Sequence, residues 1–353
     1  MASPRAAIVG TGLIGGSIGL ALRRRGWYVT GADQDASRAA RALELGALDA
    51  VGVDPAAEIT FLATPVRAIA SAARTALAAG TGVVTDVGGV KASIVASVDD
   101  ERFLGGHPMA GSEQDGVDGA DADLFAGAVW VLTPTPATSD ATYAAVRAAV
   151  TDLGAEVVAL TPEHHDALVA VVSHVPHLTA ATLMQLADDR STEHRALLRL
   201  AAGGFRDMTR IAAGHPGIWP DICAENREAI GEVLATLIAS LQRVRDVVAR
   251  DDRAALLALL ERARSARVNL PSRVARAGDL CEVRVPVPDR PGVLAEVTTL
   301  AGALDVNIAD LEIAHSSEGE RGVLILVVEA LAADRLRAGL TEHGFRPAVL
   351  PLE

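Results

Sequence analysis

Apolar and polar positions follow three successive regimes along this chain. As far as residue 160, short apolar runs end in turns: Ala6–Val9 before Gly10, Tyr28–Ala32 before Asp33, Glu58–Ala63 before Thr64-Pro65, and Gly82–Asp86 before Gly88-Gly89. Such runs, separated by helical stretches, predict buried strands of a parallel sheet with helices between them. Ala128–Thr133 and Glu156–Leu160 continue the alternation, and the parallel sheet is expected to end near residue 160. From Pro162 to about Arg267 the pattern turns helical, and Thr161-Pro162-Glu163-His164-His165-Asp166 reads as a capped helix start. The apolar run Ala167–Ala187 contains Ser173, His174, Pro176 and His177, polar groups that are costly in lipid, so it is expected to be a buried helix, bent or interrupted at Pro176. Ile230, Val233, Leu234, Leu237, Ile238, Leu241, Val244 and Val248 recur at helical spacing on one long helix. Such a stripe builds core and, at this length, suits a subunit interface. In the third regime Cys281, Val283, Val285 and Val287 alternate with Glu282, Arg284 and Pro286, as in a half-buried strand. A turn and helix, strands near Asn307–Ala314 and Gly322–Val328, and a final helix and strand complete a βαββαβ order.

The expected architecture is therefore an α/β Rossmann-type doubly wound domain over 1–160, an all-α dimerisation domain over 161–275, and a small α+β, ferredoxin-like module over 279–353. A chain of 353 residues is long enough for several cores. Half of it is hydrophobic but only 3% is aromatic, so Ala, Val, Leu and Ile must fill the interior. The net charge of -13 argues against nucleic acid or an anionic membrane as the main partner, and an anionic substrate would need a local cationic pocket. Cys223 and Cys281 make no disulfide framework and read as buried small hydrophobes. With no charged-then-apolar leader in view, the expected compartment is the cytoplasm.

The chemistry begins at Gly10-Thr11-Gly12-Leu13-Ile14-Gly15, between a strand and a helix. Gly10 permits a tight turn, Gly12 lets a pyrophosphate approach, Gly15 lets helix and strand pack, and the helix N-terminus faces the phosphates. Asp33, about 20 residues further on, suits the adenosine ribose hydroxyls and repels a 2′-phosphate, which predicts NAD rather than NADP. Arg38 nearby reads as solvated. Thr64, Pro65, Asp86 and Gly88 lie at carboxyl ends of strands, where they either border the cofactor or cap their own loops. Gly105-Gly106-His107-Pro108-Met109-Ala110-Gly111 sets one histidine in a glycine-rich loop, where an imidazole could accept a proton from a hydroxyl under oxidation. His174 and His177 read as hydrogen-bonded core groups or as donors to an anionic ligand; their spacing does not suit a metal, and none is expected. Arg210, followed by Ile211-Ala212-Ala213, is the candidate fork for a carboxylate, whereas Arg206 reads as a solvated partner of other charges.

Taken together, these motifs resemble the prephenate dehydrogenase family over essentially the whole chain: the fingerprint Val9–Ser17, the Gly-Gly-His-Pro-Met-Ala-Gly loop, Ser173-His174-Val175-Pro176-His177, Gly203-Gly204-Phe205-Arg206-Asp207-Met208-Thr209-Arg210, and Trp219 with Glu225-Asn226. The resemblance implies that His107 is the catalytic histidine, that His177 and Arg210 bind substrate, and that Ser112 and Glu113 line the same pocket. It implies NAD-dependent oxidation and decarboxylation of prephenate to 4-hydroxyphenylpyruvate for tyrosine synthesis. Arogenate, an amino-substituted prephenate, and a non-catalytic NAD-binding sensor remain the alternatives. Many members carry a serine where this chain has Gly89, so His107 is expected to be oriented by water or by Ser112. The C-terminal module resembles an ACT domain, which implies a tyrosine site near Asp289, Arg290, Pro291, Gly292 and Asn307; a packing module without ligand is the alternative.

Overall fold

A computed structural model describes residues 3–112, 114, 116–191, 197–269, 280–288, 290–315 and 321–351, and the chain divides into two compact units, 1–266 and 267–353. The first unit holds an eight-stranded sheet of β1 (Arg5–Val9), β2 (Tyr28–Ala32), β3 (Ala50–Val51), β4 (Ile59–Leu62), β5 (Val83–Asp86), β6 (Phe103–Pro108), β7 (Val129–Thr133) and β8 (Glu156–Ala159). Their order is β3-β2-β1-β4-β5-β6-β7-β8, which reverses direction on either side of β1 as a doubly wound sheet does. One expectation is corrected: β7 runs antiparallel to β6, with Gly105 opposite Thr133 and Pro108 opposite Trp130, so the sheet is mixed. The chain turns back to β7 without a crossover helix, and β8 then resumes parallel to β7.

The glycines of the first turn have separate duties. Gly10 takes φ +95°, and a Cβ on Gly15 would fall 1.9 Å from the Gly10 carbonyl oxygen, whereas nothing lies within 4 Å of the corresponding point on Gly12. Gly10 and Gly15 are needed to build the turn, and Gly12 leaves its approach open. The following helix, Leu13–Arg24, buries Ile18, Ala21 and Leu22 against β1 and β2. The scarce aromatics are concentrated, with Phe61, Phe125 and Trp130 all fully buried and Phe125 tilted on Trp130 at 5.2 Å between ring centroids.

The helical segment does not form a separate unit, because its first helix docks directly on the sheet domain. Asp166, on helix Pro162–Val169, accepts the backbone N–H groups of Lys91 and Ala92 at 2.8 and 2.9 Å. The helix expected to be bent or interrupted at Pro176 is irregular just ahead of it. A π-helical turn over Ala170–His174 comes first, and helix Val175–Ser191 continues through the proline.

Burial of this apolar run is one-sided. Ala170 and Val175 pack on Ile230, while Leu168, Val171, Val172 and Leu186 are exposed. By length and composition, 162–190 is also apolar enough to cross a membrane, but Asp166 and His174 within it are buried in polar contacts to the rest of the unit. The stripe on Arg227–Ala249 splits likewise, with Ile230 buried and Ile238, Leu241 and Val248 each more than half exposed in the single chain.

The second unit has β9 (Leu280–Pro288), helix Val293–Ala303, β10 (Ile308–His315), β11 (Arg321–Glu329), helix Ala330–Glu342 and β12 (Ala348–Pro351). The βαββαβ order closes as an antiparallel sheet β10-β11-β9-β12, and Cys281, Val283, Val285, Val287, Leu324 and Leu326 share one face against Val297, Ala301, Leu336 and Leu340 of the two helices. Burial pushes the Cys281 thiol above its ordinary range, as suits a packing residue.

Candidate active site

The carboxyl ends of β1, β2 and β4 form the candidate dinucleotide edge. Asp33 closes it from beneath: one carboxylate oxygen accepts the Thr11 N–H at 2.8 Å and the other the Asp35 N–H at 3.0 Å, so β2 is tied to the glycine turn. Arg38 is exposed, with Asp35 3.7 Å away. Pro65 starts helix Val66–Ala79, and the buried Thr64 hydroxyl finds no partner in the described structure. An unsatisfied hydroxyl at this edge fits a site completed by a polar ligand, as do the open face of Gly12 and the free helix start at Leu13 and Ile14.

Asp86 is corrected as a cofactor contact. It is fully buried, and its oxygens are taken by the N–H groups of Gly88 (2.8 Å) and Gly106 (3.2 Å) and by the Lys91 ammonium. Gly88 belongs to the same packing, since a Cβ there would meet Ile69 at 2.7 Å. Lys91, also fully buried, donates to the Gly106 carbonyl at 2.8 Å. Burial pushes its ammonium below the ordinary lysine range, and Asp86 beside it pulls the value back up.

These contacts brace the segment that carries His107. The sequence pattern put this histidine in a loop; it stands on β6, opposite Val131 of β7. Gly105 and Gly106 are there for contact rather than for flexibility. Cβ atoms on them would meet the Thr133 hydroxyl at 2.4 Å and the Asp86 carbonyl at 2.7 Å. Between its neighbours β5 and β7, the strand fixes the position of His107 more tightly than a loop would.

His107 opens on a cleft of about 230 Å³ whose lining includes Ile14, Gly89, Ser173, His174, Trp219 and Ile222. Its Nδ1 lies 2.8 Å from Nε2 of His165, and Nδ1 of His165 lies 2.8 Å from Asp166. Ser112, the expected orienting group, is exposed and accepts the Gln114 N–H at 3.1 Å instead. Glu113 lies outside the described residues. Burial pushes His107 well below the ordinary histidine value, and the charges available to His165, Lys91 and His174 push the same way. His174 is lowered to about 4, mainly by burial, with Asp166 opposing. Its Nδ1 is 3.2 Å from Asn226 Nδ2, which also donates to the Asp166 carbonyl at 2.8 Å, so His174 is a buried, hydrogen-bonded group that also lines the cleft.

His177 stacks on Trp219 with ring centroids 3.7 Å apart and planes 14° from parallel. The helix Trp219–Glu225 is held over the sheet domain by an Arg67–Asp221 ion pair at 2.9 Å. Arg210 begins a 3₁₀ turn, Arg210–Ala213, and is exposed rather than buried in the single chain. Arg206 donates to the Ala201 carbonyl at 3.1 Å. A larger groove of about 590 Å³ lies beyond Asp166, but Glu163, Glu225, Glu228 and Glu232 line it, which disfavours an anionic ligand. Among the described residues no group of three or more His, Cys, Asp or Glu converges as a metal site.

His165, Asp166 and Lys91, which gather beside His107, carried no role in the sequence reading, and Asn226 appeared there only within the Glu225-Asn226 motif. His165 and Asp166 were visible only as part of a capped helix start, and Lys91 was not singled out. Their burial is tertiary, and no local spacing announces it.

Comparison with known proteins agrees with this geometry. Residues 18–159 match the family described as "Prephenate dehydrogenase, nucleotide-binding domain", and residues 161–262 match "Prephenate dehydrogenase, dimerization domain". Prephenate dehydrogenase of Bacillus subtilis is 33% identical over 348 residues, covering 94% of this chain and 93% of that protein. The crystal structure of prephenate dehydrogenase from Aquifex aeolicus in complex with hydroxyphenyl propionate and NAD+ superimposes with a TM-score of 0.72 and 31% identity, over 77% of this chain and 99% of that one. Synechocystis arogenate dehydrogenase gives a TM-score of 0.63 and 31% identity, over 74% of this chain and 98% of the other.

Proposed function

Because the chain belongs to the prephenate dehydrogenase family, we propose that it oxidises and decarboxylates prephenate to 4-hydroxyphenylpyruvate with NAD as its cofactor. The observation that carries this reading is His107, braced on β6 and opening into a cleft that Ile14, from the dinucleotide turn, also lines. NAD, when bound at the Gly10–Gly15 turn, supplies the hydride acceptor for C4 of the substrate. His107 accepts the proton of the C4 hydroxyl as the carbonyl forms, and loss of the ring carboxylate as CO2 leaves an aromatic product. The depressed pKa keeps the imidazole neutral and ready to accept at neutral pH. His177 and the Trp219 ring stack on each other, and Arg210, exposed in the single chain, is assigned to a substrate carboxylate, whose orientation the planar guanidinium fork would set.

The test is steady-state NADH formation with prephenate, arogenate and the amino analogue of prephenate side by side. Prephenate should give the highest kcat/KM. The likeness to an arogenate dehydrogenase makes arogenate the competing substrate, and a preference for it would replace this reading. Asp33 carries the cofactor prediction. The unmodified enzyme should favour NAD over NADP in kcat/KM, and Asp33→Ser should narrow the gap. A native preference for NADP would assign the site to Arg38.

The uncovered apolar faces of 162–190 and of Arg227–Ala249 lie in the segment matched as a dimerization domain, which supports a homodimer built on these helices. The free thiols of Cys223 and Cys281 accord with a cytoplasmic setting. The second unit is assigned as an ACT domain that senses tyrosine. Gly292, at φ +89°, opens helix Val293–Ala303; Arg290 beside it pairs with Glu296 at 2.6 Å, Pro291 lies in the same turn, and Asn307 is exposed before β10. Asp289 lies outside the described residues. The helix start offers backbone amides to an amino-acid carboxylate. Calorimetric titration should show tyrosine binding that persists when hydroxyphenyl propionate saturates the active site. Complete displacement by that analogue would place tyrosine in the substrate pocket instead.

A further inference from the structure

We propose that His165 and Asp166 act as positioning residues that fix the tautomer of His107, leaving its Nε2 unprotonated toward the cleft. This rests on the reading of His107 as the proton acceptor. The starting point is the Asp166 carboxylate. One oxygen accepts the Lys91 N–H at 2.8 Å and the other the Ala92 N–H at 2.9 Å, so both oxygens are already committed as acceptors from fixed backbone donors. The proton in the 2.8 Å contact between Asp166 and His165 must then sit on His165 Nδ1. A neutral imidazole with its proton on Nδ1 has only a lone pair on Nε2. The 2.8 Å contact from that atom to His107 Nδ1 therefore needs its proton from His107. His107 is left with a lone pair on Nε2, the form required to accept a proton.

The opposite tautomer pair would set the lone pair of His165 Nδ1 against a carboxylate oxygen at 2.8 Å, a repulsive contact in a buried place. His165 is 0% and Asp166 5% exposed, so neither can swing out. The Asp166 carbonyl is also held by Asn226. On the other side of the ring, Gly89 presents no side chain, and a Cβ there would still be 3.8 Å from His107 Nε2. Orientation thus comes from the Nδ1 side. The arrangement parallels an aspartate that orients a catalytic histidine, with a second imidazole interposed. When Nε2 takes up the substrate proton, the positive charge develops on a ring hydrogen-bonded toward a buried carboxylate, which stabilises it.

The test uses the full chain with NAD bound and two variants. Glutamine at position 165 can place an amide oxygen where His165 Nε2 lies and accept from His107 Nδ1; phenylalanine fills the space with no acceptor. His165→Phe is expected to lower kcat by about 10- to 100-fold with KM for prephenate changed less than about threefold, while His165→Gln recovers most of the loss. In ¹⁵N spectra of histidine-labelled enzyme, the parent and His165→Gln should show His107 protonated at Nδ1 and bare at Nε2, and His165→Phe a mixture of tautomers. Undiminished kcat in His165→Phe, no difference between the two variants, or a parent His107 protonated at Nε2 would each overturn the proposal. The parent spectrum needs neither a folded variant nor a substrate. A wrong substrate assignment would therefore show as absent turnover beside the expected tautomer, and a failed relay as turnover beside the wrong one.

Discussion

His107→Asn is expected to lower kcat by about 10²- to 10⁴-fold, the range lost when a positioned acid-base group is removed, while NAD affinity changes little. The asparagine keeps a polar side chain in the cleft but offers no basic nitrogen. The pH profile supplies the second half of the result. Protonated His107 cannot accept the hydroxyl proton, so activity falls as pH drops through the pKa of this residue. Burial first, then His165, Lys91 and His174, hold that pKa well below 6.5, and the acid limb of kcat/KM should lie well below 6.5 in the parent and vanish in the variant. A limb at 6.5 or above, or a variant with near-normal kcat, would remove His107 from the chemistry.

Lys91→Met is expected to destabilise the first unit by about 3–5 kcal/mol, because it leaves the Asp86 carboxylate buried without its cation. The two N–H groups on Asp86 offset part of this, so a loss nearer the lower figure is expected. The double variant Lys91→Met with Asp86→Leu should recover stability, since the charge and its desolvation are removed together. Denaturant midpoints followed by Trp130 and Trp219 fluorescence measure both. A single variant as stable as the parent would show that the pair contributes nothing to the fold, and β6 would have to be braced by its strand pairing alone.

The nucleotide turn was legible because its constraints are local. Gly10 needs a positive φ, Gly15 touches Gly10 within the same turn, and Asp33 follows at the end of the next strand. The alternation of Cys281, Val283, Val285 and Val287 was readable for the same reason, since a two-residue period marks one face of one strand. The site itself was only half visible. His107 stood out for its glycines, yet those glycines serve contacts to Thr133, distant in sequence, and to the backbone of Asp86, and pattern alone could not distinguish such contacts from a flexible loop. His165 appeared only as one residue of a capped helix start and is fully buried. What hides it is a docking event between helix and sheet, invisible to periodicity. Arg210 illustrates the converse, a residue flagged for apolar neighbours that lies exposed in the single chain.

The π-helical turn at Ala170–His174 has a consequence for how this segment can change over evolutionary time. A π turn is an α-helix with one residue in surplus, and each residue advances an α-helix by about 100°. Asp166 lies on one side of that surplus and His177 on the other, so the two are set in phase only while it is kept. Loss of a single codon between Val171 and Ser173 would leave a regular helix of similar composition and propensity. It would also rotate the Trp219-stacking histidine by roughly a quarter turn relative to the carboxylate that anchors His165. Point substitutions at Val171 and Val172, both exposed, should be absorbed, while a one-residue deletion at the same place should not. The active site is thus guarded by a count of residues as much as by their identity.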